Sequence, residues 1–288
     1  MESDTPLTFP DLPQSFKKRF PFRLSVPSFI YPANYIDNAR MLAPFVDEIE
    51  LLLFESHESH LPHASEIDQL ASLAVDQEIS YNVHLPIDLY LASVDNHSRQ
   101  EAVDRLTTAI DRVRPLSPTT YTLHLPYNEA DTHPKTVDKW ARRNRECLDE
   151  ILAASKVHPG QISIETLEYP PFWFETVVAA LGLAVCIDIG HIMRFGYNLE
   201  EVWRIFANRT TMIHLHGVYQ GQDHLALAQM PAEARALIKR CLGSYSGALS
   251  LEVFSFERLN TSLPCLAQMF PPDSTATSQG KRGDWPIL

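Results

Sequence analysis

The sequence predicts an α/β fold, a single (β/α)8 TIM barrel, and three observations predict it. Eight short β-like runs alternate with helix-like segments, a pattern that implies a parallel sheet, and eight strands are the number that closes such a barrel. Between residues 21 and 270 no Gly- or Pro-rich linker interrupts the alternation. The length of 288 residues suits one barrel and buries a large core without disulfides.

The runs are FRLSV (22–26), EIELLLF (48–54), ISYNVHL (79–85), TYTLHL (120–125), QISIETL (161–167), LAVCIDI (183–189), TMIHLHG (211–217) and ALSLEVF (248–254). Each is rich in aliphatic, aromatic or β-branched residues and bounded by turn or cap residues. The clearest helices are expected at 64–77, 98–113, 135–155, 198–207 and 231–242. Asn198 suits an N-cap before LEEVWRIF, and Pro231 suits a helix's first turn. Residues 1–20 read as an extended lead-in and residues 271–288, rich in Pro, Ser, Thr and Gly, as a flexible C-terminal tail. A doubly wound open sheet is the structural alternative, but no GxGxxG follows the first run.

Composition narrows function. A net charge of −12, with basic clusters no longer than Lys17-Lys18-Arg19 and Arg142-Arg143, argues against nucleic acid as a partner. No apolar run approaches the ~20 residues of a membrane span, and no secretory signal pattern opens the chain. The four cysteines, Cys147, Cys186, Cys241 and Cys265, lie far apart without a CxxC, as reduced thiols do. A cytoplasmic protein is expected, without membrane association; oligomeric state stays open.

Strand alternation sorts the side chains into two faces. Val83 and Leu85 share one face, Asn82 and His84 the other. Leu123 opposes Thr122 and His124; Ile162 and Ile164 oppose Ser163 and Glu165; Val185 and Ile187 oppose Cys186 and Asp188. Ile213 and Leu215 oppose Met212, His214 and His216, and Leu249 and Leu251 oppose Ser250 and Glu252. The aliphatic face packs on outer helices. The other face points inward and carries a His, Glu or Asp near the carboxyl end of six successive strands, the end where barrel enzymes do chemistry. Burying so many ionisable groups is costly unless cations compensate, and imidazole with carboxylate suits Zn, Mn or Fe. His-Leu-Pro recurs at 84–86 and 124–126, Asp188-Ile-Gly-His191 adds an imidazole just past its strand, and Asp223-His224 sits in the following loop.

These residues resemble the xylose-isomerase-like barrel superfamily, which includes endonuclease IV and many sugar isomerases and epimerases, over about residues 22 to 256. By the endonuclease-IV-like pattern, the resemblance implies metal ligands at His84, His124, Glu165, Asp188, His191, His214, His224 and Glu252, holding one to three divalent ions, Zn or Mn, with Asp223 as a further candidate. Two departures stand out: the nucleases separate that last Asp and His by one residue, and His216 stands where they have Asn. The epimerase members need only Glu165, Asp188, His214 and Glu252, so the extra imidazoles favour phosphoester hydrolysis.

The opening FPFRLSVPSFIYPANYIDNARMLAPFVDEIELLLFES, with YNVHLPIDL, CIDIGHIMRFGYNLE and IHLHGVYQGQDHLAL, is similar to the cobamide-remodelling phosphodiesterases of this superfamily. That resemblance implies a small-molecule corrinoid substrate, cleaved in its nucleotide loop to α-ribazole and cobinamide phosphate. Catalytic roles then fall on Glu165 and Glu252, which bridge metals or orient water, and on His216, which contacts a phosphate oxygen or the leaving group. Tyr31, Tyr35, Trp173, Phe195, Tyr197 and Tyr219 crowd the expected mouth loops and offer an apolar face to a corrin. Arg23 and Glu55 read as ion-pair partners. The alternatives are a metal-dependent sugar (phosphate) isomerase or epimerase, a nuclease at abasic DNA, and a non-catalytic corrinoid-binding module. No P-loop, GxSxG or inward strand Lys points to kinase, serine hydrolase or aldolase chemistry.

Overall fold

The computed structural model describes residues 9–271. Ten strands run in the order β1 (Arg23–Pro27), β2 (Glu48–Leu52), β3 (Ser80–His84), β4 (Tyr121–Leu123), β5 (Ile162–Glu165), β6 (Ala184–Asp188), β7 (Thr210–Leu215), β8 (Gly217–Tyr219), β9 (Gln222–Leu225) and β10 (Ala248–Leu251). Eight of them close a parallel barrel in the order β1-β10-β7-β6-β5-β4-β3-β2. The remaining two, β8 and β9, form an antiparallel hairpin inside what the sequence reads as a loop. Its two-residue turn, Gln220-Gly221, has both residues at positive φ (50° and 78°), the geometry whose twist matches a hairpin.

Nine α-helices accompany the strands among the described residues: α1 (Tyr35–Leu42), α2 (Ala64–Gln77), α3 (Asn96–Val113), α4 (Pro134–Ser155), α5 (Glu175–Leu181), α6 (Ile189–Arg194), α7 (Leu199–Phe206), α8 (Ala232–Cys241) and α9 (Phe256–Met269). The five helices expected from sequence are α2, α3, α4, α7 and α8, within two residues at each end. The other four were not expected. Of these, α5 and α6 have only seven and six residues, too short for a full amphipathic period to show. Asn198 caps α7 by accepting the Glu201 N–H (3.1 Å). Pro231 sits one step earlier than expected, as the N-cap of α8. No described helix is long and apolar enough to cross a membrane.

The two faces separate as alternation requires. Val83, Ile164, Val185, Ile187, Ile213, Leu249 and Leu251 are fully buried against the helix ring. The inner face carries polar pairs, with Asn82 donating to Ser25 Oγ (2.8 Å) and Ser163 bonding Thr211 (2.7 Å), beside a small apolar patch of Cys186, Met212 and Ala248. Arg23 stands near Glu48 (3.6 Å), and Ser80 donates to Glu48 (3.0 Å), at the amino end of the strands. Glu55 instead pairs with His60 (2.5 Å) at an exposed position. Residues 9–20, part of the expected lead-in, bury Leu12, Phe16 and Phe20 in the core, and the Phe16 N–H donates to the Phe45 carbonyl (2.9 Å). Residues 1–8 of that lead-in and 272–288 of the expected tail lie outside the described residues.

The loop after β1, which borders the barrel mouth, is tied by Asn38. Its buried side chain accepts from the N–H groups of Ile30 (3.0 Å) and Tyr31 (2.8 Å), and donates to three carbonyls of the same loop. An Asn38→Ala variant leaves two buried N–H groups unpaired, and is expected to lose about 2 kcal/mol of unfolding free energy in urea denaturation.

Candidate metal centre

Strand register brings the site together. Asp188 on β6 pairs with His214 on β7, and His214 pairs with Ser250 on β10, so all three side chains enter the barrel at one level. Glu165 ends β5 beside Cys186, and His84 ends β3. Asp188 does double duty. It ends its strand and caps α6, with Oδ1 accepting the His191 N–H (2.8 Å). That cap turns the chain so that the His191 ring folds back over Asp188 Oδ2 (3.2 Å). The intervening Gly190 is required: a Cβ there would lie 1.9 Å from the His216 ring.

All eight expected ligands gather at this end. Three groups of donor atoms, each mutually within 4.8 Å, describe most of the centre: Glu165, Asp188, His214 and Glu252; His84, His124 and Glu165; and His191, His216 and His224. The cavity above them holds about 220 Å³ and is lined by His84, His124, Glu165, His191, His224 and Glu252, with Leu52, Leu53, Phe54, Ile87 and Phe254.

The imidazoles are oriented by their outer nitrogens. His84 Nδ1 lies 3.0 Å from the Leu85 carbonyl, His191 Nδ1 3.1 Å from that of Thr166, and His224 Nδ1 3.1 Å from that of Glu252. A carbonyl only accepts, so each Nδ1 carries a hydrogen; at His84 and His224 this leaves Nε2 available as a ligand atom, the arrangement typical of metal-ligating histidines, whereas at His191 Nδ1 itself also faces Asp188 Oδ2 (3.2 Å) and Glu165 Oε1 (3.5 Å). His84 Nε2 lies 3.2 Å from Glu165 Oε2. His124 Nε2 meets the same oxygen at 2.9 Å. Two further buried atoms, His214 Nδ1 and Glu252 Oε2, have no hydrogen-bond partner although they lie 3.4 Å apart. Orphaned inward donors of N/O type fit a divalent ion such as Zn or Mn.

Electrostatics carry the same sign. Burial pushes the Glu165 carboxyl up, but His124 and His214 more than offset this and hold it well below the ordinary value. Asp188 is likewise lowered against its burial by His191 and His216. Glu252 goes the other way: burial, with the nearby charges of Glu165, Asp188 and Glu50, raises it well above the usual range despite His214. The protein's own imidazoles thus leave one carboxylate uncompensated. Burial also pushes up the Cys186 thiol beneath the cluster.

Three placements differ from the sequence expectation. Asp223 does not join the cluster; its carboxylate pairs with Arg194. Both Asp223 and His224 lie on β9, where adjacent side chains point to opposite faces, so only one can reach the centre. His224 is the one, held at a φ of +49°, a strained conformation for a non-glycine residue. His216 is fully buried and does not line the cavity. Its Nδ1 accepts the His224 N–H (2.9 Å), so its Nε2–H faces Asp188 at 3.2 Å; it positions that carboxylate rather than reaching a substrate. Among the mouth aromatics, Tyr31 is buried in the core. The apolar rim comes instead from Phe29 (48% exposed), Phe54 (40%) and Ile87 (47%), with the Phe29 and Phe54 rings 5.2 Å apart.

Glu50 is the residue that sequence reasoning missed. It is fully buried on β2, with His214 Nε2 2.9 Å from its Oε1. The period-2 pattern Glu48-Ile49-Glu50-Leu51 was the available signal; the apolar run of Leu51, Leu52, Leu53 and Phe54 that follows masked it.

A family model described as a xylose isomerase-like TIM barrel matches residues 46–269. No curated protein matches the sequence significantly. Among solved structures, a D-tagatose 3-epimerase-like protein is 19% identical, with 86% of this chain and 97% of that one covered and a TM-score of 0.72. A Thermus thermophilus protein soaked with zinc chloride is 22% identical over 86% and 97% of the chains, with a TM-score of 0.65. D-psicose 3-epimerase from Clostridium cellulolyticum H10, solved with D-tagatose, is 15% identical over 83% and 89%, with a TM-score of 0.62. At these identities the likeness establishes the barrel fold.

Elemental analysis after dialysis against zinc or manganese checks the centre. Wild-type protein is expected to retain at least one ion per chain. Glu165→Ala, which removes the carboxylate shared by two of the donor groups, should retain fewer at an unchanged circular dichroism spectrum.

Proposed function

Because the chain belongs to the xylose isomerase-like TIM barrel family, we propose that it is a divalent-metal-dependent hydrolase. Its substrate is a cobamide, cleaved at the phosphodiester of the nucleotide loop to α-ribazole and cobinamide phosphate for corrinoid remodelling. The observation that carries this reading is the surplus of inward imidazoles. His84, His124, His191 and His224 line one cavity with Glu165 and Glu252, well beyond the four-ligand set that sugar epimerisation needs. These residues, together with Asp188 and His214, would hold zinc or manganese ions, which would supply positive charge against the anionic phosphoryl group.

The chain's own residues do the rest. Glu252 Oε2 is buried, unpartnered and on the cavity wall. As a carboxylate it is placed to accept a proton from the attacking water. Glu165, held ionised by His124 and His214, fixes the imidazoles around it. A cavity of about 220 Å³ is small beside the ~300–1,000 Å³ of pockets that enclose a drug-sized ligand. It admits the phosphate and part of its ribose, while a macrocycle lies across the rim. Phe29, Phe54, Ile87 and Phe254 follow the four adjacent strands β1, β2, β3 and β10 and make that side of the rim apolar.

A second reading, a divalent-metal-dependent sugar epimerase or isomerase, has its own support. Glu165, Asp188, His214 and Glu252 form a compact quartet, and two of the similar structures carry tagatose or psicose epimerase names. The readings part on His84 and His124. In the phosphodiesterase, His84→Ala or His124→Ala removes a metal ligand and lowers turnover by at least about 100-fold, no less than the loss of a partner behind a ligand costs. In the epimerase both are dispensable.

The deciding assay mixes metal-loaded protein with a cobamide and follows products by mass spectrometry. Cobinamide phosphate and α-ribazole are the expected products. Their absence, with interconversion of a free ketose instead, would establish the epimerase.

A further inference from the structure

We infer that Glu50 is a positioning residue that fixes His214 with its Nε2–H turned outward and its Nδ1 lone pair turned into the metal centre. This rests on the metal centre and not on the substrate. Glu50 enters the barrel from β2, three strands round the ring from β7 and from the β5 strand of Glu165, and its carboxylate is completely enclosed. Both oxygens are engaged: Ser250 Oγ donates to Oε2 (2.6 Å) and His214 Nε2 lies 2.9 Å from Oε1. An ionised carboxylate only accepts, so the hydrogen of His214 resides on Nε2. Nδ1 is the nitrogen left for the metal centre: it is buried without a hydrogen-bond partner, 3.5 Å from Glu165 Oε1 and 3.4 Å from Glu252 Oε2.

His214 needs this more than its neighbours do. His84 and His224 are each held by a backbone carbonyl through Nδ1, which leaves Nε2 available, and His191 is held by the Thr166 carbonyl and Asp188. His214 sits inside the barrel wall, its backbone spent in the β6–β7–β10 ladder, and it presents the opposite nitrogen. Only a side chain from across the barrel can set that tautomer, and Glu50, anchored by Ser250, is the group that does so. Ring flips of His214 would turn a carbon toward the ligand cluster. Outer-shell partners of this kind are worth about 10–100-fold in metal affinity.

The test measures zinc affinity of the full-length protein by competition with a chromophoric chelator. Glu50→Leu is expected to bind zinc about 100-fold more weakly than wild type. Glu50→Gln, whose amide oxygen still accepts from His214 and whose NH2 can donate to Ser250, should stay within about threefold. A merely structural Glu50 would lower the melting temperature in Glu50→Leu and leave zinc affinity unchanged, and that result overturns the assignment. Should Glu50→Leu not fold, the zinc-loaded wild type decides. Its 15N-histidine spectrum must show His214, identified by loss of its signal in His214→Gln, protonated at Nε2; protonation at Nδ1 overturns the assignment. Wild-type protein that binds no zinc at all would instead remove the metal centre itself, whereas a failure to cleave cobamides touches neither.

Discussion

Burial of like charge at one end of the barrel governs how everything around it is built. Glu50, Glu165 and Glu252 all approach the His214 ring, at 2.9, 3.5 and 3.4 Å, and Asp188 stands beside it in register. Four carboxylates sharing one dry volume cost far more than packing around them can return. Imidazoles offset the cost at Glu50, Glu165 and Asp188, where the carboxyls stay low, but not at Glu252. That imbalance, together with the unpartnered His214 Nδ1 and Glu252 Oε2, is what a bound cation would resolve.

The barrel has to hold this cluster rigidly, and its interior is arranged to do so. The amino end is closed by Glu48 with Arg23 and Ser80. The middle layer is a ladder of small polar pairs, Asn82 with Ser25 and Ser163 with Thr211. The carboxyl end carries the ligand set, with His84 and His224 tied through Nδ1 by carbonyls, His191 by a carbonyl and Asp188, and His214 by a carboxylate. Because the aliphatic outer face is fully buried beneath the helices, the strands cannot slip by one residue without exchanging the two faces, and register is therefore strongly specified. The same register that buries Ile213 and Leu249 delivers His214 and Ser250 to one level.

Around the mouth, the division of labour follows local chemistry. The β8–β9 hairpin folds one imidazole over the cluster at the cost of a strained φ at His224 and sends the adjacent aspartate to an arginine. The adjacency of Asp223 and His224, which departs from the nuclease spacing, thus has a structural meaning: one residue serves the centre and the other anchors the hairpin to α6. On the apolar rim, Phe254 packs against His224, while Phe29 and Phe54 after β1 and β2 face solvent, an arrangement suited to a broad apolar ligand surface.

The barrel and the two faces of its strands were legible in the chain before any contact was known, because period-2 alternation is local and survives without tertiary information. The strand ends that carry His84, His124, Glu165, Asp188, His214 and Glu252 were legible too, since a polar residue on an inward position is visible in a single run. Short elements escaped that reading: α5 and α6 have too few residues for periodicity to register, and β8–β9 are strands set by a two-residue turn. Which polar groups face each other is settled by folding alone. Glu50 and His214 are 164 residues apart, and nothing local marks them as partners. Whether Asp223 or His224 reaches the centre, and whether His216 touches a substrate or braces Asp188, depends on the direction in which a folded-back hairpin aims each side chain. Direction across a closed barrel is a property of its closure, and no segment of the chain carries it alone.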